Sequence, residues 1–150
     1  MWHSRFIARR RSVDVGIDGD RSTSAQVDLS QSRVLIRLDL NVPLSKDDGT
    51  TITDDTRLRA VVPTMNFLKE QGASVVVATH SGRPKGEPDP KFSVSPVVGR
   101  LSELLDTDVI KADDCVGDDV KKMCDGMPKG GVVLLENVRF HKGETKNHED

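Results

Sequence analysis

The chain has 150 residues, enough to bury one core, and 22 Lys plus Arg stand against 24 Asp plus Glu for a net charge of −2. That balance excludes the basic signature of a nucleic-acid or membrane-surface protein, and no apolar run approaches the roughly 20 residues of a membrane span. The two cysteines, Cys115 and Cys124, are too few and too closely spaced for a disulfide framework or a zinc site, which fits a reducing compartment.

Residues 1–26 differ from the rest. Arg5, Arg9, Arg10 and Arg11 appear without an acidic neighbour, then Ser and Gly dominate through Ser24. An Arg-rich, acid-poor start is a feature of organelle-targeting peptides. Asp14, Asp18 and Asp20 break that pattern, so the segment reads as a disordered arm or extension ahead of a domain over 27–150.

The first strand lies in Arg33 to Pro43, where Val34, Leu35, Ile36 and Leu38 form the apolar run of a strand covered on both faces. It turns polar at Asp39 and Asn41, and Pro43 ends any ladder. A polar loop, 45–55, leads into a helix with Leu58, Val61, Val62, Met65 and Leu68 at helical spacing. Pro63 predicts a kink or a restart, and Gly72 a stop. Val75 to Thr79 is the second strand, and His80 to Phe92 is too rich in Gly and Pro to be regular.

Ser93 or Ser95 with Pro96 opens a second helix, whose apolar face is Val94, Val97, Val98, Leu101, Leu104 and Leu105. Asp108 to Ala112 is the third strand, and a short helix from Gly117 to about Cys124 turns Val120, Met123 and Cys124 inward. After a turn at Pro128 to Gly131 comes the fourth strand, Val132 to Leu135. The polar tail from His141 to Asp150 shows no closing element. Four strands alternating with three helices predict an α/β domain with a parallel sheet and right-handed crossovers.

In such a sheet, ligands meet the residues beyond the carboxyl ends of the strands. Asp39 with Asn41, His80 with Arg83, and Arg139 all fall there, and Arg57 follows the first loop. Three guanidinium forks suit a two-pronged grip on phosphate or carboxylate, His80 adds a donor, and Asp39 accepts from a hydroxyl. The set describes a small hydroxylated acid phosphate. Each residue also has a plainer reading: turn caps for Asp39 and Asn41, surface charges for Arg57, Arg59 and Arg83, a strand-end histidine for His80, and a surface pair with Glu136 for Arg139. No phosphate-binding glycine loop, Ser-His-Asp set or metal-ligand spacing is present.

Arg33 to Pro43, Ile52 to Arg57, His80 to Gly86 and Leu134 to Phe140 together resemble phosphoglycerate kinase, in the order and spacing of its amino-terminal domain. The resemblance runs from about Val27 to Asp150. It implies a three-layer, Rossmann-like domain and a phosphotransferase that moves a phosphoryl group between 1,3-bisphosphoglycerate and ADP, giving 3-phosphoglycerate and ATP in glycolysis. It implies that Asp39 and Asn41 meet the glycerate hydroxyl region, that Arg57 holds the carboxyl group and stabilises the transferring phosphoryl, and that His80, Arg83 and Arg139 bind the distal phosphate. Phosphoryl transfer is largely positioning and charge stabilisation, which suits an arginine at the reacting end.

The resemblance further implies a monomer in the cytosol, with an organelle as the alternative raised by Arg5 to Arg11. It implies Mg²⁺ with ATP or ADP, held by a carboxy-terminal nucleotide domain that would lie beyond Asp150. The 150 residues thus read as an incomplete amino-terminal domain that supplies the phosphoglycerate site and does not catalyse alone. Ser81 departs from the usual Leu of His-Leu-Gly-Arg-Pro, and a modest packing change is expected there. Two other readings remain at this stage: a non-catalytic anion-binding module, and a truncated product with an exposed sheet edge and no function.

Overall fold

The computed structural model describes residues 6–8 and 29–146. Its sheet runs in the order β1-β2-β3-β5-β4, with β1 Phe6–Ala8, β2 Arg33–Arg37, β3 Ser74–Ala78, β4 Val109–Lys111 and β5 Val132–Leu134. The last four are parallel, as their spacing predicted, with Val34 beside Val75 and Val75 beside Val132. Of the segment read as an arm or extension, only Phe6–Ala8 falls among the described residues, and it pairs antiparallel with β2 at the sheet edge.

Helix α1, Thr56–Glu70, and α2, Ser95–Leu105, cover one face of the sheet. Leu58, Met65 and Leu68 of α1 and Val97, Leu101 and Leu105 of α2 are buried against Val34, Ile36, Val75, Val77, Val132 and Leu134. Each such side chain contributes about 1.5–3 kcal/mol through its lost contact with water. Helix α3, Asp118–Asp125, packs Val120, Met123 and Cys124 over Val76, Val133 and Leu135 on the opposite face. This makes the three layers. β2 departs from expectation: Leu35 is 37% exposed, so that strand is covered on one face only.

α1 runs unbroken through Pro63, where a kink or restart was expected. A helix tolerates the missing N–H when packing on either side holds it, and Leu58 and Met65 flank the proline in the core. α1 stops as predicted at Gly72, which adopts φ 79° while the Ala73 N–H closes on the Leu68 carbonyl at 3.1 Å. Asp55 joins the two large helices by accepting from Arg59 and Arg100, each at 2.8 Å. The tail also holds an element the sequence did not announce, α4, Lys142–Lys146. It has no apolar stripe; Glu144 anchors it to Arg37 and Arg139.

Candidate functional site

The parallel strands deliver their polar ends to one rim. Beyond β2, Asp39 Oδ1 accepts from the Asn41 N–H at 3.1 Å, an Asx turn that bends the chain across the rim. Arg57, in the first turn of α1, donates from Nη1 to Asp39 Oδ1 at 3.1 Å and to the Asn41 carbonyl at 2.8 Å. Asp39, Asn41 and Arg57 therefore form one cluster. A cavity of about 560 Å³ lies beside it, lined by Asn41, Val42, Pro43, Asp54, Thr56 and Arg57.

Asn41 also reaches the next strand end. Its Oδ1 accepts from the Gly82 N–H at 3.0 Å, and the Gly82 carbonyl in turn accepts from Arg139 Nη1 at 3.1 Å. Gly82 thus links the loops after β2, β3 and β5. It has φ 58°, and a Cβ there would lie 2.4 Å from the Phe92 ring, so glycine is required twice over. The hydrogen-bond chain places Asp39, Asn41, Arg57 and Arg139 on one connected rim, with His80 and Arg83 on the loop it secures. Arg83 is exposed and has no partner among the described residues.

His80 is half-buried, and its pKa is lowered, first by burial and then by the charge of Arg139, with Asp39 pulling the other way. The imidazole is therefore held toward its neutral form. Arg139 does not pair with Glu136, as one reading of the sequence had it. Its Nε lies 3.5 Å from Glu144 Oε2, and both atoms are buried with no hydrogen-bond partner. Glu144 also engages Arg37. An acidic side chain of the protein itself thus stands among the cations of the rim.

Sequence reasoning missed the residues that hold this rim in shape. Thr79 is fully buried, and its hydroxyl accepts from the Leu40 N–H at 3.1 Å. Asn137, also fully buried, donates from Nδ2 to the Ser81 and Phe92 carbonyls at 2.7 and 2.8 Å. Glu136 accepts from the Val94 and Asn137 N–H groups, the Ser93 hydroxyl and Lys111 Nζ. Burial alone would raise its pKa; Lys111 and the other donors outweigh that and lower it. Their signal was position, since all three sit just past a strand end. Ser81 borders a small cavity otherwise lined mainly by apolar side chains, among them Leu40, Val42, Leu44, Val94 and Val97.

A second cleft, about 1130 Å³, is lined by none of the six candidate residues. Asp48, Asp89, Asp113, Asp114 and Glu136 outnumber Lys91 and Lys111 along its walls, so it repels phosphate rather than collecting it. The arginine rim, unlike this cleft, carries the charge that suits an anion. That rim does not suit Mg²⁺, which takes oxygen ligands; its carboxylates, Asp39 and Glu144, already face arginines.

Comparison with known proteins places the chain in a family. The family model described as phosphoglycerate kinase matches residues 24–150. The chain is 58% identical over 124 residues to phosphoglycerate kinase 2, chloroplastic, of Arabidopsis thaliana, covering 83% of this chain and 25% of that protein. It is 55% identical over 141 residues to the cytosolic phosphoglycerate kinase of Triticum aestivum, covering 94% of this chain and 32% of the relative. The crystal structure of phosphoglycerate kinase from Pyrococcus horikoshii superposes with a TM-score of 0.66 at 36% identity, over 77% of this chain and 27% of that one. The chain spans about a quarter to a third of the length of these relatives. No helix among the described residues is long and apolar enough to cross a membrane. On its sequence and its fold, the chain belongs to the phosphoglycerate kinase family.

Proposed function

We propose that this chain supplies the phosphoglycerate site of a phosphoglycerate kinase, which transfers a phosphoryl group reversibly between 1,3-bisphosphoglycerate and ADP. The observation that carries the proposal is the hydrogen-bond chain from Arg57 through Asp39, Asn41 and Gly82 to Arg139. It holds two guanidinium groups at a fixed spacing around a polar rim. In this reading Asp39 and Asn41 meet the glycerate hydroxyl region. Arg57, its Nη1 already fixed by two acceptors, turns its remaining donors to the carboxyl and the transferring phosphoryl. His80, Arg83 and Arg139 take the distal phosphate. Rigid, prepaid placement of such charges is what phosphoryl transfer needs from a protein.

The residues of the rim do not fit a magnesium–nucleotide complex, so no step of this proposal runs through it in these 150 residues. The cytosol is the compartment proposed for the protein; chloroplastic and cytosolic relatives both resemble it. Titration with 3-phosphoglycerate, followed calorimetrically, tests the site: saturable one-to-one binding that Arg139→Ala weakens by at least about tenfold is expected for loss of a charged bidentate contact. Equal affinity in the variant would remove Arg139 from the site. Equal affinity for sulfate and 3-phosphoglycerate would instead favour a simple anion-binding module.

A further inference from the structure

We propose that Asp114, Cys115 and His141 form a binding site for a borderline-soft divalent cation of the zinc class. Two cysteines alone exclude an all-cysteine site, but the fold assembles a mixed one from segments far apart in sequence. Asp114 and Cys115 lie between β4 and α3, and His141 lies just before α4. The carboxylate oxygen, thiol sulfur and imidazole nitrogen all fall within 4.8 Å of one another. His141 Nε2 is 2.6 Å from Asp114 Oδ1, which also accepts from the Cys115 N–H at 2.6 Å, and the Cys115 thiol donates to the Glu136 carbonyl at 2.8 Å, a bond that an ion would replace. Bond lengths of about 2.0–2.3 Å around a tetrahedral zinc put its ligands roughly 3.3–3.5 Å apart. The three ligand atoms, all within 4.8 Å of one another, would close to that spacing by side-chain adjustment.

The surroundings favour a cation independently of these three side chains. Asp114 and His141 open into the acidic cleft of about 1130 Å³, whose remaining charged lining is Asp48, Asp89, Asp113 and Glu136 against Lys91 and Lys111. The Glu136 N–H also reaches the Asp114 carbonyl at 3.4 Å, which fastens the ligand loop to the end of β5. Binding displaces the Cys115 thiol proton to solvent, and the resulting thiolate and carboxylate balance the two positive charges of the ion. A thiolate–imidazole pair selects zinc or cobalt over Mg²⁺ and Ca²⁺. An ion here would tie the loop after β4 to the segment that carries Arg139, two residues before His141.

Titrating the whole chain with Co²⁺ and recording its near-ultraviolet and visible absorption tests the site. A thiolate-to-cobalt charge-transfer band that saturates at one ion per chain, and that Zn²⁺ but not Mg²⁺ abolishes, is expected. Cys115→Ser removes the band, Cys124→Ser leaves it, and His141→Ala raises the dissociation constant by at least about tenfold. Absence of the band in the unaltered chain, its survival in Cys115→Ser, or its loss in Cys124→Ser overturns the assignment. If circular dichroism shows Cys115→Ser unfolded, Asp114→Asn and His141→Ala decide: unchanged cobalt affinity in both rejects the site.

Discussion

Asn137 and Arg139 are joined by a hydrogen bond in which the Arg139 N–H donates to Asn137 Oδ1 at 3.0 Å. The same fully buried amide donates to the Ser81 and Phe92 carbonyls. One side chain thereby sets both the arginine and the loop that faces it. Asn137→Ala leaves two carbonyls and one N–H without that partner in a dry site, and costs about 2–4 kcal/mol of stability. Urea unfolding measures it. A loss below about 0.5 kcal/mol would mean the amide is dispensable to the rim.

Glu136 gives the fold an acid-sensitive joint. Its pKa in the folded chain lies below the ordinary 4.5, because Lys111 and three further donors outweigh the opposing effect of burial. The unfolded chain therefore binds the proton more tightly than the folded one. The stabilisation is fully present above 4.5 and is lost as pH falls from there through the folded value. Glu136→Gln should unfold at lower urea than the parent near neutral pH, by about 1–3 kcal/mol, and the gap should narrow below 4.5. A gap that does not change with pH would separate this carboxyl from acid unfolding.

His80 couples binding to protons. Burial, then the charge of Arg139, lowers its pKa below 6.5, so the free chain loses stability as pH falls from 6.5 through the folded value and loses none above it. A phosphate dianion beside the ring reverses that penalty and draws a proton on. Calorimetry of 3-phosphoglycerate binding near neutral pH, in buffers of different ionisation heat, should show net proton uptake. His80→Gln should reduce it. Uptake identical in the two proteins would show that the ring stays neutral against the ligand.

Glu144 competes for the arginines. Its carboxylate engages Arg37 and lies 3.5 Å from Arg139 Nε, inside the rim proposed for a phosphate. Removing its charge frees both guanidinium groups. Glu144→Gln should tighten 3-phosphoglycerate binding about two- to fivefold, the scale of a partly screened ion pair. Weaker binding in that variant would make Glu144 a support of the site.

The strands and large helices were legible because their apolar residues repeat at the periods their burial imposes, as in Val75, Val77 and the α1 stripe of Leu58, Met65 and Leu68. That Asp39, Asn41, His80, Arg83 and Arg139 share one rim was legible because residues past the strand ends of a parallel sheet point the same way, and Arg57 joins them from the first turn of α1. What was not legible depends on contacts between distant residues. Helix α4 has no apolar period and is fastened by Glu144 to Arg37, far away in sequence. Glu136 read as a surface partner of Arg139 and Asn137 drew no reading of its own, although each is buried and satisfies several backbone groups at once. Pro63 obeys tertiary packing over its own preference, since α1 carries core residues on both sides of it.

The central question is whether the arginine rim binds phosphoglycerate. Amide and imidazole NMR of the 150-residue chain, titrated with 3-phosphoglycerate, is the direct measurement. Saturable shifts are expected at His80, Gly82 and Arg139, with Arg139→Ala abolishing them and the acidic cleft around Asp89 and Asp113 staying silent. A well-folded chain that shows no shifts at the rim, or shows them in the acidic cleft instead, would contradict it.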